Sequence, residues 1–198
     1  MLKVGLTGSI GSGKTIVSLI FEKMGIPVYY ADREAKRFLL SENVKKELLE
    51  LFSEKIFDKS GYADSKLLGE LVFNDRAELD KLNKLIHPLV KDNFDAWVLK
   101  NSSHRYIIHE AAILFESGFN RYFDKVITVD TPLELCINRV IQRDGVTREQ
   151  VTARIKNQWD TSKKTALADF VIKNNEQELV IPQVLEINRQ LSGIALSV

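Results

Sequence analysis

Apolar positions along the chain follow two alternating spacings. Short runs rich in aliphatic and β-branched residues occur at Leu2 to Thr7, Val28 to Tyr30, Tyr106 to His109, Lys125 to Val129 and Phe170 to Lys173. Runs of this length, bounded by turn residues, read as strands buried on both faces. Between them apolar residues recur every three to four positions, as on one face of a helix. Lys14 to Met24 carries Val17, Leu19, Ile20 and Phe21 in this way, with Gly25 placed to end the helix and Pro27 to block its continuation. From Asp32 to about Ser103 the pattern is almost wholly helical, with Leu48, Leu51 and Phe52 and then Leu67, Leu71 and Val72 as apolar groups. Two breaks are expected inside it, the turn Asp58-Lys59-Ser60-Gly61 and the step His87-Pro88. So long a helical stretch exceeds one crossover and reads as an inserted substrate-binding region. Farther on, Thr131-Pro132 is expected to cap and open a helix to about Arg143. Asp144-Gly145 breaks the chain there. Thr147 with Gln150 forms a capping box for a helix towards Trp159, and a last helix follows Asn174-Asn175. Alternating strands and helices predict an α/β fold on a parallel sheet.

Composition narrows the classes. The 198 residues hold 28 basic and 27 acidic side chains, a net charge of +1, which excludes a large basic field for wrapping nucleic acid. The single cysteine, Cys136, rules out an internal disulfide and lies in an apolar run as a small buried residue. No stretch approaches the ~18 apolar residues of a membrane span. A cytoplasmic enzyme with small-molecule partners, and neither nucleic acid nor membrane, is the expectation.

Chemistry enters at Gly8-Ser9-Ile10-Gly11-Ser12-Gly13-Lys14-Thr15, a full G-x-x-x-x-G-K-[S/T] between a strand and a helix. Gly8, Gly11 and Gly13 let the backbone curl so that N–H groups, Ser12 among them, converge on phosphate oxygens. The helix N-terminus adds partial positive charge. Lys14 brings a cation to the β- and γ-phosphates, and the Thr15 hydroxyl is placed to ligate Mg²⁺.

A nucleotide-binding switch would use the same loop. Asp58-Lys59-Ser60-Gly61 does match D-x-x-G, and Asn83-Lys84 begins N-K-x-D, but Ile86 occupies the required Asp position. Both read better as a turn and a solvated helix face. An enzyme needs an acceptor site and groups to hold developing charge. Asp32 lies just past the end of the second strand, the edge where ligands bind in open α/β sheets, and suits a base for an attacking hydroxyl. It equally suits an N-cap for a helix from Arg33 to Leu40. Arg139 and Arg143 share one helix face, with Arg148 and Arg154 in the next helix. This is either a lid for the transferring phosphoryl group or a solvated basic face.

Together with Ala31-Asp32, His87-Pro88-Leu89, Ile113-Leu114-Phe115-Glu116, Gln142-Arg143-Asp144, Thr147-Arg148-Glu149, Arg154-Ile155 to Gln158, and Ala168-Asp169-Phe170-Val171-Ile172 with Asn174-Asn175, the loop makes a chain that resembles the dephospho-coenzyme A kinase family over nearly its whole length. The resemblance implies a three-layer P-loop NTPase fold, with a five-stranded parallel sheet flanked by helices. It further implies a single kinase domain with a core of about 1–31, 104–138 and 161–198, a helical substrate-binding region of about 32–103 and a small helical lid of about 139–160. The implied reaction moves the ATP γ-phosphoryl group, with Mg²⁺, to the ribose 3′-hydroxyl of dephospho-coenzyme A. Asp32 is then the catalytic base and substrate ligand, Lys14, Arg139 and Arg143 take part in catalysis, and His87 lies in the substrate region. The working unit is a monomer or weak homo-oligomer. The family pattern departs at Tyr30, where an Asp is usual, and at Ile16, which takes the place of a hydroxyl residue near the α-phosphate. It departs again at Ala112 and at Glu110, which replaces an Asp near Mg²⁺ and would act through water. The core by itself equally fits a kinase of another small hydroxyl metabolite or of a nucleoside monophosphate.

Overall fold

The structure, a computed structural model, describes residues 1–58 and 61–196. Among the described residues five strands form one sheet: β1 (Leu2–Gly8), β2 (Val28–Tyr30), β3 (Tyr106–Glu110), β4 (Lys125–Asp130) and β5 (Phe170–Lys173). Their spatial order is β2-β3-β1-β4-β5, and every pairing is parallel. Parallel neighbours require crossovers. These are supplied by α1 (Lys14–Lys23), α2 (Ala31–Leu39), α3 (Glu42–Phe52), α4 (Ser65–Asn74), α5 (Arg76–Lys100), α6 (Leu133–Asp144), α7 (Arg148–Lys156) and α8 (Thr161–Leu167), while α9 (Val180–Ala195) closes the chain. The chain divides into two compact units, one of Met1–Tyr30 with Val98–Val198 and one of Ala31–Trp97.

The first unit holds the whole sheet. Leu2, Val4 and Leu6 of β1 pack on one face with Val17 and Phe21 of α1 and Val184, Ile187 and Leu191 of α9. Taking each such side chain out of water contributes about 2 kcal/mol, so Phe21→Ala would cost this layer about 3–5 kcal/mol. Gly5 points to the other face, where Leu114 and Phe123 close so tightly that a Cβ would meet Leu114 Cδ2 at 2.6 Å. His109 stands beside Gly5 in register. Its ring lies 5.3 Å from Tyr29, 5.3 Å from Phe119 and 5.0 Å from Phe123. Burial pushes its pKa down to about 3, so it is a neutral packing residue. β1 is central, between β3 and β4: the chain builds β2 and β3 on one side of it and then crosses to the other side for β4 and β5. Its C-terminal end is therefore the natural ligand edge.

In the helical unit, Val44, Leu48 and Phe52 recur every four residues and are buried on α3. On α4 the buried pair is Leu68 and Val72, whereas Leu67 and Leu71 are exposed. The apolar surface of that helix is thus wider than its buried stripe. Leu67 and Leu71 instead line an open cleft of about 490 Å³ with Leu49, Phe52 and Ile56. The expected break at His87-Pro88 is absent, because α5 runs for 25 residues through Pro88. Proline removes one helix hydrogen bond and costs about 3 kcal/mol. Ile86, Val90 and Phe94 are buried on both sides of it and hold the two halves in one helix. At the turn after Phe57, the Asp58 carboxylate accepts from the Tyr62 N–H at 3.1 Å, while Lys59 and Ser60 lie outside the described residues.

Two helix starts correct the reading from sequence. α2 begins at Ala31, directly after β2, so Asp32 sits within the first turn and does not cap it. α6 begins at Leu133 with Pro132 at the cap position. Thr131 makes no cap there, and its hydroxyl donates to the Ser12 carbonyl at 2.9 Å. The capping box of Thr147 and Gln150 is present at the start of α7.

Candidate active site

The segment Gly8 to Thr15 links β1 to α1 as a tight loop. Its turn is closed by the Ser12 N–H donating to Ser9 O at 3.0 Å. Gly11 has φ 80° and packs on α6, where a Cβ would collide with the Cys136 carbonyl and lie 2.9 Å from Val140 Cγ2. The first turn of α1 supplies N–H groups at Gly13, Lys14 and Thr15 that have no backbone acceptor among the described residues. Convergent free donors at a helix N-terminus make a site for an anion of phosphate type.

Two charged side chains meet at the mouth of this loop. Lys14 is 8% exposed, and its Nζ donates to Gly8 O at 2.9 Å and Ser9 O at 3.2 Å. Glu110, the last residue of β3, is 6% exposed and brings Oε1 to 4.0 Å from that ammonium. β3 lies next to β1, so the sheet itself delivers the pair. Thr15 and Ile16 are exposed on the first turn of α1. Thr15 Oγ1 and the Glu110 carboxylate are hard oxygen donors, the kind Mg²⁺ takes in small numbers beside phosphates. Among the described residues, no group of three or more His, Cys, Asp or Glu side chains could hold a metal by itself.

A second buried lysine was not singled out from sequence. Lys164 of α8 is 0% exposed, and its Nζ lies 2.8 Å from Glu116 Oε1 and 2.9 Å from Ala112 O. Glu116 Oε1 also accepts the Trp159 N–H at 2.7 Å. Ala112 follows Glu110 by two residues and receives the Thr7 hydroxyl at 3.4 Å. Lys164 therefore fastens the segment that leaves β3. The neighbouring connector fastens the loop: Gln158 Oε1 accepts from the Ile10 N–H at 3.0 Å, and Thr161 Oγ1 lies 3.2 Å from Ser9 Oγ. Trp159 stacks on Phe115 at 6.1 Å, with Lys163 Nζ 3.4 Å above its ring centre. It is a structural aromatic. Sequence holds no signal that separates Lys164 from its exposed neighbour Lys163.

The remaining candidates are carried by other elements. Arg139 and Arg143 share α6, but each is paired within the fold, Arg139 to Glu176 at 3.0 Å and Arg143 to Asp144 at 2.7 Å. The Asp144 hydrogen bond raises the Arg143 pKa above its usual value. Arg154 also reaches Asp144, at 3.3 Å, and Arg148 reaches Glu134 at 2.6 Å, so α6 and α7 are laced together. Asp32 and His87 belong to the helical unit. Asp32 is the second residue of α2, and His87 is a half-buried residue of α5 whose pKa desolvation lowers.

A parallel sheet with a phosphate-binding loop at its central strand, and a buried lysine and carboxylate at the loop's mouth, defines a P-loop nucleotide-binding protein. Relatives sharpen the class. The dephospho-CoA kinase family model matches residues 2–179. A dephospho-CoA kinase of Bacteroides fragilis (strain YCH46) is 39% identical over 191 residues, covering 94% of this chain and 91% of its own. Among solved structures, a Thermus thermophilus protein superposes with a TM-score of 0.83 at 31% identity, with 96% of each chain covered. The dephospho-CoA kinase of Campylobacter jejuni superposes with a TM-score of 0.68 at 27% identity, over 96% of this chain and 97% of that one. The chain belongs to the dephospho-CoA kinase family, and it is an ATP-dependent kinase. No helix among the described residues is long and apolar enough to cross a membrane.

Proposed function

We propose that the chain moves the γ-phosphoryl group of ATP to the ribose 3′-hydroxyl of dephospho-coenzyme A, giving coenzyme A and ADP. The observation that carries this reading is the loop with its buried Lys14 and Glu110, in a chain whose relatives bear that activity in their names. A bond forms between the acceptor oxygen and the γ-phosphorus as the bond to the bridging oxygen of ADP breaks. Asp32 orients the hydroxyl and takes its proton. The loop N–H groups of Gly11, Ser12, Gly13, Lys14 and Thr15 hold the phosphates. The Lys14 ammonium leaves the carbonyls of Gly8 and Ser9 to follow the β,γ-oxygens. Thr15 directly, and Glu110 through water, would hold Mg²⁺, which supplies charge neutralisation at the β- and γ-phosphates.

Arg139 and Arg143 act from the α6–α7 lid on the transferring group. Their present partners are surface pairs, worth about 0–1 kcal/mol, which a phosphate readily displaces. Ile16 presents no hydroxyl to the α-phosphate, so that end of the nucleotide rests on backbone donors. Residues 31–97 bind the acceptor, with the neutral His87 imidazole as one hydrogen-bonding contact. A coupled ADP-release assay over a panel of acceptors decides the matter. Dephospho-coenzyme A should be turned over best, and turnover of a different hydroxyl metabolite or nucleoside monophosphate with none on dephospho-coenzyme A would overturn the assignment.

A further inference from the structure

One peptide of the loop is held from outside it. The Ser12 carbonyl, in a residue only 1% exposed, accepts two hydrogen bonds from distant parts of the chain. Thr131 Oγ1, between β4 and α6, donates at 2.9 Å, and Asn174 Nδ2, just after β5, donates at 2.8 Å. Asn174 is itself placed by its N–H on Asp130 O at 2.8 Å, so both donors are anchored at the C-terminal end of β4. Gly13 has φ 92° and ψ 18°, and a Cβ there would collide with the same Asn174 Nδ2. Glycine is thus required twice at this position, for its backbone conformation and for access of the anchoring amide.

Planarity gives these contacts a chemical consequence. All described peptides are trans. The C=O and N–H of a trans peptide point in opposite directions. Pinning the Ser12 carbonyl towards Thr131 and Asn174 therefore aims the Gly13 N–H the opposite way, and that N–H has no backbone acceptor among the described residues. If the carbonyl lost both donors while still buried, it would carry the desolvation penalty of an unpaired acceptor. Rotation of the peptide would relieve that cost by turning the carbonyl out to solvent, and would replace a donor to phosphate with an acceptor that repels it.

We propose that Thr131 and Asn174 are positioning residues for phosphoryl-donor binding, which together hold the Ser12–Gly13 peptide with its N–H facing the nucleotide phosphates. The proposal rests on the nucleotide phosphates lying in the Gly8–Thr15 loop. Unaltered protein tests that premise separately, since it must bind ADP more tightly than adenosine.

The two anchors back each other up, so their loss is not additive. A carbonyl with one remaining donor stays put, whereas one with none turns. Full-length Thr131→Val, Asn174→Ala and the double variant are titrated by calorimetry with ADP and with adenosine, which lacks phosphates. Each single variant should weaken ADP by less than about twofold, and the double variant by about tenfold or more, well beyond the product of the single losses. Adenosine affinity should follow Asn174→Ala alone and not fall further in the double variant. Thr131→Ser in the Asn174→Ala background should restore ADP binding, because it returns the hydroxyl. Should the double variant not fold, Thr131→Cys with Asn174→Ala serves in its place, since the thiol fills the space but donates weakly. Its loss of ADP affinity should exceed the product of the Thr131→Cys and Asn174→Ala losses. An ADP loss equal to the product of the single losses, or an equal loss for ADP and adenosine, would overturn the proposal.

Discussion

The two units of the chain differ in the charge they bury. In the sheet unit two lysines are buried and face carboxylates: Lys14 beside Glu110 at the loop mouth, and Lys164 on Glu116 beneath it. In the helical unit the pairs Lys46–Glu50, Arg76–Asp80 and Lys91–Asp95 sit at i,i+4 on exposed helix faces. A buried pair is a costly arrangement that breaks badly when one partner goes, whereas a surface pair is screened by water and nearly neutral. The sheet unit spends folding energy on holding charges in fixed directions, as stabilising a transferring phosphoryl group requires. Among its described residues the helical unit keeps its charge outside and its core apolar.

Substitutions can break or sharpen this contrast, and the largest effect is expected at Lys14. Lys14→Ala should lower kcat by at least ~10³-fold and weaken ATP binding, because charge at the β,γ-phosphates is lost. Retention of a tenth of the activity would remove the buried lysine from the mechanism. Asp32→Asn comes next and is the one helical-unit change expected to reach chemistry. It should reduce kcat by about 10²-fold at nearly unchanged ATP affinity. A near-normal kcat would return Asp32 to a purely helix-starting role.

Lys164→Met is third, and it strands the Glu116 carboxylate in the interior. A loss of about 3–5 kcal/mol is expected in denaturant titration. For a chain this long that is a fall of roughly 10 °C in Tm. If melting stayed where it was, the two units would not differ in how they carry charge. Lys46→Ala is the smallest, with a Tm expected to move by less than about 2 °C. A larger drop would mean that the surface pairs of the helical unit hold it together after all.

Much of this is legible in the residues themselves. The five strands and the phosphate loop stand out because strand burial, glycine spacing and the helix start are local patterns, complete within ten residues. The capping box at Thr147 and Gln150 is legible for the same reason. Pro88 misleads, because its local cost is outweighed by the burial of Ile86, Val90 and Phe94, which depends on what α5 packs against. Thr131 misleads in the same way. A threonine before Pro-Leu looks like a cap, but its hydroxyl is drawn to a carbonyl 119 positions away.

What the sequence determined by itself is the chemistry on offer: a loop that must curl, a lysine and a threonine at its end, an acid after the second strand, and arginines spaced to share a face. Tertiary structure decided which of these side chains meet. It set Glu110 beside Lys14 because β3 pairs with β1. It chose Lys164 over Lys163 for the interior, and it turned Thr131 and Asn174 onto one carbonyl of the loop. Those choices join residues far apart in the chain. They are made by strand order and packing, which no local run of residues contains.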